Sequence, residues 1–239
     1  MFSKNFYHRI KYQIDKKAIF EVFYQFFLDR LKHPLVKTRK NKLKKIHQNY
    51  LQTKKTTTDY FSINVYYWDL IINKNFKEFS YLEIGSFEGN SALYILKNFK
   101  TKKVICIDVW DKYNDIYKAQ NIKMYKNFKS NLNEFVDRFS FFKSTSDEYF
   151  KNNNERFDVI YIDGWHEAPQ VYKDLNNSWN SLNINGLMIC DDYFYGDITS
   201  NNTSNLPANA INQFLFEKKN GLKIVCVNNA QIFIKKISN

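Results

Sequence analysis

The pattern that most constrains this chain begins at Tyr81. From there, short apolar runs alternate with segments of helical period. Strands are predicted at 81–85, 104–109, 139–143, 159–162, 186–190, 222–227 and 231–235. Helices are predicted near 91–98, 116–136, 146–151, 170–182 and 205–219. Strand–helix alternation at this spacing builds a parallel sheet with helices on both faces. The last two strands are separated only by residues 228–230, too few for a crossover, so they form a hairpin and the final strand runs antiparallel. The expected architecture is α/β: a doubly wound, mostly parallel, seven-stranded sheet with an antiparallel last strand.

The N-terminal quarter has a different character. Residues 16–32 carry Ile19, Phe20, Phe23, Phe27 and Leu31 at i, i+3/i+4 spacing, an amphipathic helix that Pro34 is expected to end or kink. Residues 37–55 are a basic run, and a further helix is expected over 60–73, with its start at 56–59. Charge divides in the same place. Residues 1–55 hold 15 Lys/Arg against 3 Asp/Glu, which accounts for the entire net charge of +12, and the remainder is neutral. The division predicts a basic, partly helical arm over 1–57 and the α/β domain over 58–239. The arm could meet nucleic acid, an anionic membrane or, through its helix, a second copy of the chain. His8, His33 and His47 lie in the arm and read as ordinary surface residues. Three cysteines sit in strand-like runs without metal spacing, as expected in a reducing cytoplasm. No apolar stretch is long enough to span a bilayer, and 18–28 makes a poor signal peptide.

Three constellations carry chemistry. The segment 83–91 (EIGSFEGNS) follows the first strand and opens the first helix, so its glycines permit a tight turn and close ligand approach to backbone N–H groups. Phe87 stands where a dinucleotide fingerprint needs its second glycine. Asp108, at the end of the second strand, is placed to reach ribose hydroxyls. Asp163 and His166 (IDGWH) end the fourth strand, and Asp191 and Asp192 (DDY) end the fifth. Carboxylates converging there repel one another unless a cation sits among them, and such a donor set suits Mg²⁺, Ca²⁺ or Mn²⁺. They also serve ligand hydrogen bonding or capping without a metal. His166 is placed to take a proton near neutral pH.

The order ExGxxxGxS, an acid after the second strand, IDGWH and then DDY resembles the class I S-adenosylmethionine-dependent methyltransferases, which have a Rossmann-like fold. More narrowly it resembles the methyltransferase family 24 group of catechol-type and macrocin-type O-methyltransferases, over roughly residues 58–237. The resemblance implies that Glu83, Gly85, Ser86, Gly89 and Ser91 cradle the methionine part of the cofactor. It implies that Asp108 holds the ribose, that Trp110, Thr145 and Ser146 lie near the adenine, and that Asp163, Asp191 and Asp192 are metal ligands. Asp163 thereby borders the cofactor as well. His166 stands where catechol-type enzymes carry a basic lysine, a departure that fits the sugar-type enzymes better.

The function implied is O-methylation of a small-molecule or sugar/glycan hydroxyl in the cytoplasm, assisted by a divalent metal. The catalytic residues would be His166 and Asp163. The polar loop 194–206 is expected to flank the acceptor, with Trp165, Tyr193, Phe194 and Tyr195 beside it. Two alternatives stand against this reading. One is a nucleic-acid methyltransferase that uses the basic arm, although the strand-four end lacks an N/D-P-P-Y/F signature. The other is a non-catalytic Rossmann-like module tethered by the arm to a membrane or an acidic partner.

Overall fold

Seven strands form one sheet in the order β3-β2-β1-β4-β5-β7-β6. They are β1 Phe79–Ile84, β2 Thr101–Asp108, β3 Ser140–Lys143, β4 Phe157–Ile162, β5 Leu182–Cys190, β6 Leu222–Val227 and β7 Ile232–Lys236. β1 pairs parallel with β2, and β2 with β3. β7 runs antiparallel to both β5 and β6, and the four residues 228–231 that join β6 to β7 are too few for a crossover. This computed structural model describes residues 10–11, 19–110, 118–196, 204–228 and 230–239. Its helices are α1 Phe20–Leu51, α2 Val65–Asn75, α3 Asn90–Asn98, α4 Lys118–Leu132, α5 Ser146–Lys151, α6 Ala168–Ser181 and α7 Pro207–Glu217. Parts of the expected elements at 16–18 and 116–117, most of the arm before residue 19, and loop positions 197–203 lie outside the described residues. No helix among the described residues is long and apolar enough to cross a membrane. Cys106, Cys190 and Cys226 are free thiols.

The chain packs as two units, Met1–Lys32 with Asp158–Asn239, and His33–Phe157. In the second, β1 (FSYLEI) is apolar at nearly every position because a parallel strand is covered on both faces. Trp68 and Ile72 of α2 lie one helical turn apart and are fully buried. Trp68 meets Phe61 edge to face at 4.8 Å. In the first unit, Val171, Leu175, Ser178 and Trp179 form the buried face of α6, and Ala210, Ile211, Phe214 and Leu215 that of α7. Each of these helices starts with a proline in its first turn, where the missing N–H costs nothing. Lys236 is buried, and its ammonium donates to the carbonyls of Trp179 and Leu182 at 2.9 and 3.1 Å, tying β7 to the end of α6.

Three sequence expectations need correction. Pro34 does not end the first helix. α1 continues to Leu51, through the run 37–51 that had been set apart as a basic segment. Proline removes one helical hydrogen bond, and the Lys, Leu and Gln residues beyond it are strong helix formers with no second breaker. α2 starts at Val65 and not near residue 60, because the Asp59 carboxylate accepts from Ser62 N (2.9 Å) and Phe61 O from Asn64 N (2.8 Å). The chain is therefore turning where a helix was expected to start. His47 is not a surface residue. It is buried, edge to face with Phe61 and Tyr94 at 5.6 and 5.2 Å.

Gly89 caps α3 with a φ of 84°. A Cβ there would meet Leu132 Cδ1 at 2.9 Å and Phe128 Cδ2 at 3.1 Å. We expect Gly89→Ala to cost about 2 kcal/mol through the left-handed backbone and this contact. The check is the denaturant midpoint at unchanged slope; an unshifted midpoint would show that α4 yields freely.

Candidate active site

One candidate cluster is the turn between β1 and α3, in the unit His33–Phe157. Gly85, Phe87 and Gly89 all have positive φ, at 86°, 47° and 84°, so the backbone coils tightly. Gly85 N donates to Ile107 O at 2.8 Å and Gly89 N to Ser86 O at 2.7 Å. Asp108 fixes the loop from β2. Its Oδ2 accepts from Phe87 N and its Oδ1 from Trp110 N, both at 2.8 Å. Trp110 closes the lock with an indole N–H to Phe87 O at 2.8 Å. Its ring is buried against Phe128 (4.6 Å) and Tyr125 (5.0 Å) of α4. Desolvation pushes the Asp108 carboxyl up, against the pull of these backbone N–H groups.

Glu83 lies beneath this turn, fully buried. Its Oε2 accepts from Tyr81 Oη at 2.7 Å. Burial pushes its carboxyl up, opposed by the nearby Ser91, Tyr81 and Ser86 hydroxyls. Glu83 Oε1 and Ser86 Oγ are buried without a hydrogen-bond partner among the described residues. A buried carboxylate oxygen and a hydroxyl left unpaired in a glycine turn suit a cationic, hydrogen-bonding ligand such as the ammonium of an amino acid. These residues therefore fit the methionine part of S-adenosylmethionine. Ser91 is buried in the first turn of α3. Thr145 caps α5 in a reciprocal box with Glu148, and Ser146 is buried next to it.

Glu88 is a residue that motif reading passed over. It is fully buried, and its carboxylate accepts from Thr57 N (2.6 Å) and Asn127 Nδ2 (2.7 Å). It thus holds the segment before α2 against the glycine turn. Its partners lie 31 and 39 residues away, so no local spacing announces it.

A separate cluster, in the other unit, is built on the ends of β4 and β5. Asp191 N donates to Ile162 O at 2.9 Å, aligning the two strand ends. The Asp163 and Asp192 side chains are partly exposed, and that of His166 is 44% exposed. His166 Nε2 lies 2.9 Å from Asp192 Oδ2 and 3.9 Å from Asp163 Oδ1. The Asp192 hydrogen bond raises the His166 pKa, against partial burial. Asp192 has a φ of 57°. Asp163, His166 and Asp192 can each offer one ligand atom within 4.8 Å of the others, a mixed oxygen and nitrogen set that fits a divalent cation.

Asp191 is placed differently. Its Oδ2 accepts from Gln231 Nε2 (2.7 Å) and from Tyr161 Oη, and its Oδ1 from Asp192 N (2.8 Å). Burial and then the Asp192 charge push its carboxyl up. Tyr161 Oη also lies 2.9 Å from Asp163 Oδ2. One phenol with one proton thus stands between two carboxylates. The structure brings Asp163, His166 and Asp192 together and turns Asp191 toward Tyr161 and Gln231.

The four aromatics expected near an acceptor divide in two. Tyr193 is buried with its hydroxyl on Asn212 Oδ1 (2.6 Å), and Phe194 is buried against Phe26 at 5.0 Å. These two are packing residues. Trp165 and Tyr195 are exposed, and Tyr195 meets His166 at 4.9 Å between ring centroids.

Comparison with known proteins agrees with this fold. Residues 82–193 match a family model described as a methyltransferase domain. An uncharacterized protein of Acanthamoeba polyphaga mimivirus is 29% identical over 119 residues, which are 48% of this chain and 52% of that protein. The chain therefore spans about half the length of the curated relative it matches. Among solved structures, the O-methyltransferase from Bacillus cereus in complex with SAH superposes with a TM-score of 0.56 at 12% identity, covering 91% of this chain and 100% of that one. A proposed caffeoyl-CoA O-methyltransferase from Staphylococcus aureus gives 0.58 at 18% identity, covering 87% and 100%. The ribosomal protein L11 methylase from Lactobacillus delbrueckii gives 0.53 at 14%, covering 78% and 83%. At such identities the likeness is one of fold.

The sheet order, the glycine turn and the matched segment, which is just under half of the chain, resemble those of the class I S-adenosylmethionine-dependent methyltransferases. Within that class, the chain resembles the family 24 methyltransferases.

Proposed function

We propose that this enzyme methylates a hydroxyl group of a small-molecule or sugar/glycan acceptor in the cytoplasm, with a divalent cation at the strand ends. The observation that carries the reading is the group Asp163, His166 and Asp192, with His166 bonded to Asp192 at 2.9 Å. When bound, the cofactor supplies an electrophilic methyl on a sulfonium. Gly85, Ser86 and Gly89 would hold its methionine part through the turn's backbone, and Glu83 would pair with its ammonium. Asp163 and Asp192, with His166 beside them, would hold a cation such as Mg²⁺ or Mn²⁺, whose charge lowers the pKa of a hydroxyl near it. Asp192 orients the His166 imidazole, and its neutral form takes the acceptor hydroxyl proton. Tyr195 limits the freedom of that ring, and Trp165 offers an apolar wall to an acceptor. Methyl transfer needs alignment in a desolvated site more than it needs further acid–base help, so positioning by these side chains is the main requirement.

The experiment is calorimetric titration with S-adenosylhomocysteine, with and without EDTA, alongside a Mn²⁺ titration. S-Adenosylhomocysteine should bind one to one in both conditions, because the cradle residues and the Asp–His group are separate sets. Mn²⁺ should bind the native chain, and Asp192→Ala should weaken that by about tenfold or more while leaving S-adenosylhomocysteine binding intact. Absence of S-adenosylhomocysteine binding at millimolar ligand would overturn the cofactor assignment. Mn²⁺ binding indifferent to Asp192 would overturn the cation site.

A further inference from the structure

We propose that α1 is an interfacial helix that seats the enzyme on an anionic lipid bilayer. The helix has two apolar faces. One is used internally: Val22 and Phe26 are buried, and Phe26 packs on Phe194 at 5.0 Å. The other is unused. Phe20, Tyr24, Phe27, Leu31 and Leu35 are 77%, 47%, 40%, 56% and 85% exposed. At 100° per residue these five fall within about 80° of arc, on the side opposite Val22 and Phe26, and they run for about 22 Å along the axis. Isolated exposed leucines are common on protein surfaces, whereas a continuous stripe of large apolar side chains marks a contact.

Charge selects the occupant. Lys42 and Lys45 continue the line of the stripe toward the C-terminal end of the helix, and Lys32 and Lys37 lie roughly 60° and 80° outside its two edges. All four are exposed, and none has a hydrogen-bond or ion-pair partner among the described residues. The only acids of α1 are Glu21 and Asp29, both outside the stripe. A second copy docked on the stripe would offer these lysines little acid, because Glu21 and Asp29 lie outside it. A bilayer containing anionic lipid accepts the aromatic and leucine side chains at the headgroup boundary and attracts each lysine. No helix among the described residues can span that bilayer, so the contact is peripheral.

The test is flotation of the full chain with phosphatidylcholine vesicles containing about three parts in ten phosphatidylserine, against vesicles of phosphatidylcholine alone. The protein should float with the anionic vesicles at low salt, be released at high salt, and stay behind with neutral vesicles. Lys42→Glu with Lys45→Glu should weaken binding by roughly thirtyfold or more. Leu31→Ser with Leu35→Ser, both at exposed positions, should weaken it by at least about tenfold with an unchanged thermal melt. Equal binding to neutral vesicles would overturn the proposal, as would a stripe variant that still floats. So would a dimer in size exclusion that the stripe variant splits while native protein ignores vesicles.

Discussion

Asp108→Ala should lower stability by about 3–6 kcal/mol and abolish S-adenosylhomocysteine binding. The carboxylate is the acceptor for Phe87 N and Trp110 N, one on either side of the glycine turn. A hydrogen bond to a charged group contributes about 1.5–3 kcal/mol, and two are lost at once. The orphaned amides belong to residues with positive φ, 47° at Phe87 and 42° at Trp110, which relax as soon as the acceptor is gone. The turn then no longer presents its N–H groups in one direction. Asp108→Asn separates the contributions, since its single acceptor oxygen can hold one amide only. It should lose about half as much stability. Urea denaturation measures the first effect and calorimetry the second. An alanine variant that binds S-adenosylhomocysteine with native affinity would show that the turn holds itself.

Acidification should cost about 3 kcal/mol between pH 6.5 and pH 4 through His47 alone. This side chain packs edge to face on Phe61 and Tyr94, and its Nε2 has no hydrogen-bond partner among the described residues. Burial lowers its pKa to about 4, with Asp59 pulling it up and Lys97 pushing it down. In the unfolded chain the imidazole takes a proton below pH 6.5, whereas in the folded chain it stays neutral until about pH 4. The unfolded state therefore binds more protons across this window. Stability rises with pH through it and is lost on the way down. His47→Leu keeps the packing volume and removes the titration. Its denaturant midpoint should be flatter between pH 6.5 and 4 than that of the native chain. Parallel pH profiles for the two proteins would refute the assignment.

The alternation of strands and helices was legible because it depends on local periodicity, and every strand lies within a few residues of its expected place. The β-hairpin at the end followed from the shortness of its connection alone. Features that depend on distant partners were not legible. His47 sits in a basic run and looks solvated, yet Phe61 and Tyr94 enclose it. Asp191 and Asp192 are adjacent and alike in sequence. Only the fold brings Gln231, 40 residues on, to one of them and His166 to the other. Asp108 reads as a strand-end acid placed to reach ribose hydroxyls, and nothing local announces that its oxygens also accept from Phe87 N and Trp110 N. Pro34 illustrates the reverse case: of the two outcomes expected there, an end or a kink, the end is avoided because helix-forming residues follow it.

The left-handed backbone at Asp192 has a consequence for how such a site can change. At a φ of 57°, aspartate, asparagine and glycine are tolerated with little strain, and most other side chains are not. Mutational drift at this position is therefore funnelled into a short alphabet. Within it, a single step between carboxylate and amide alters the local charge by one unit and leaves the main chain where it was. The turn behaves as a chemical dial with few settings, letting a lineage change the charge that faces His166 without rebuilding the scaffold.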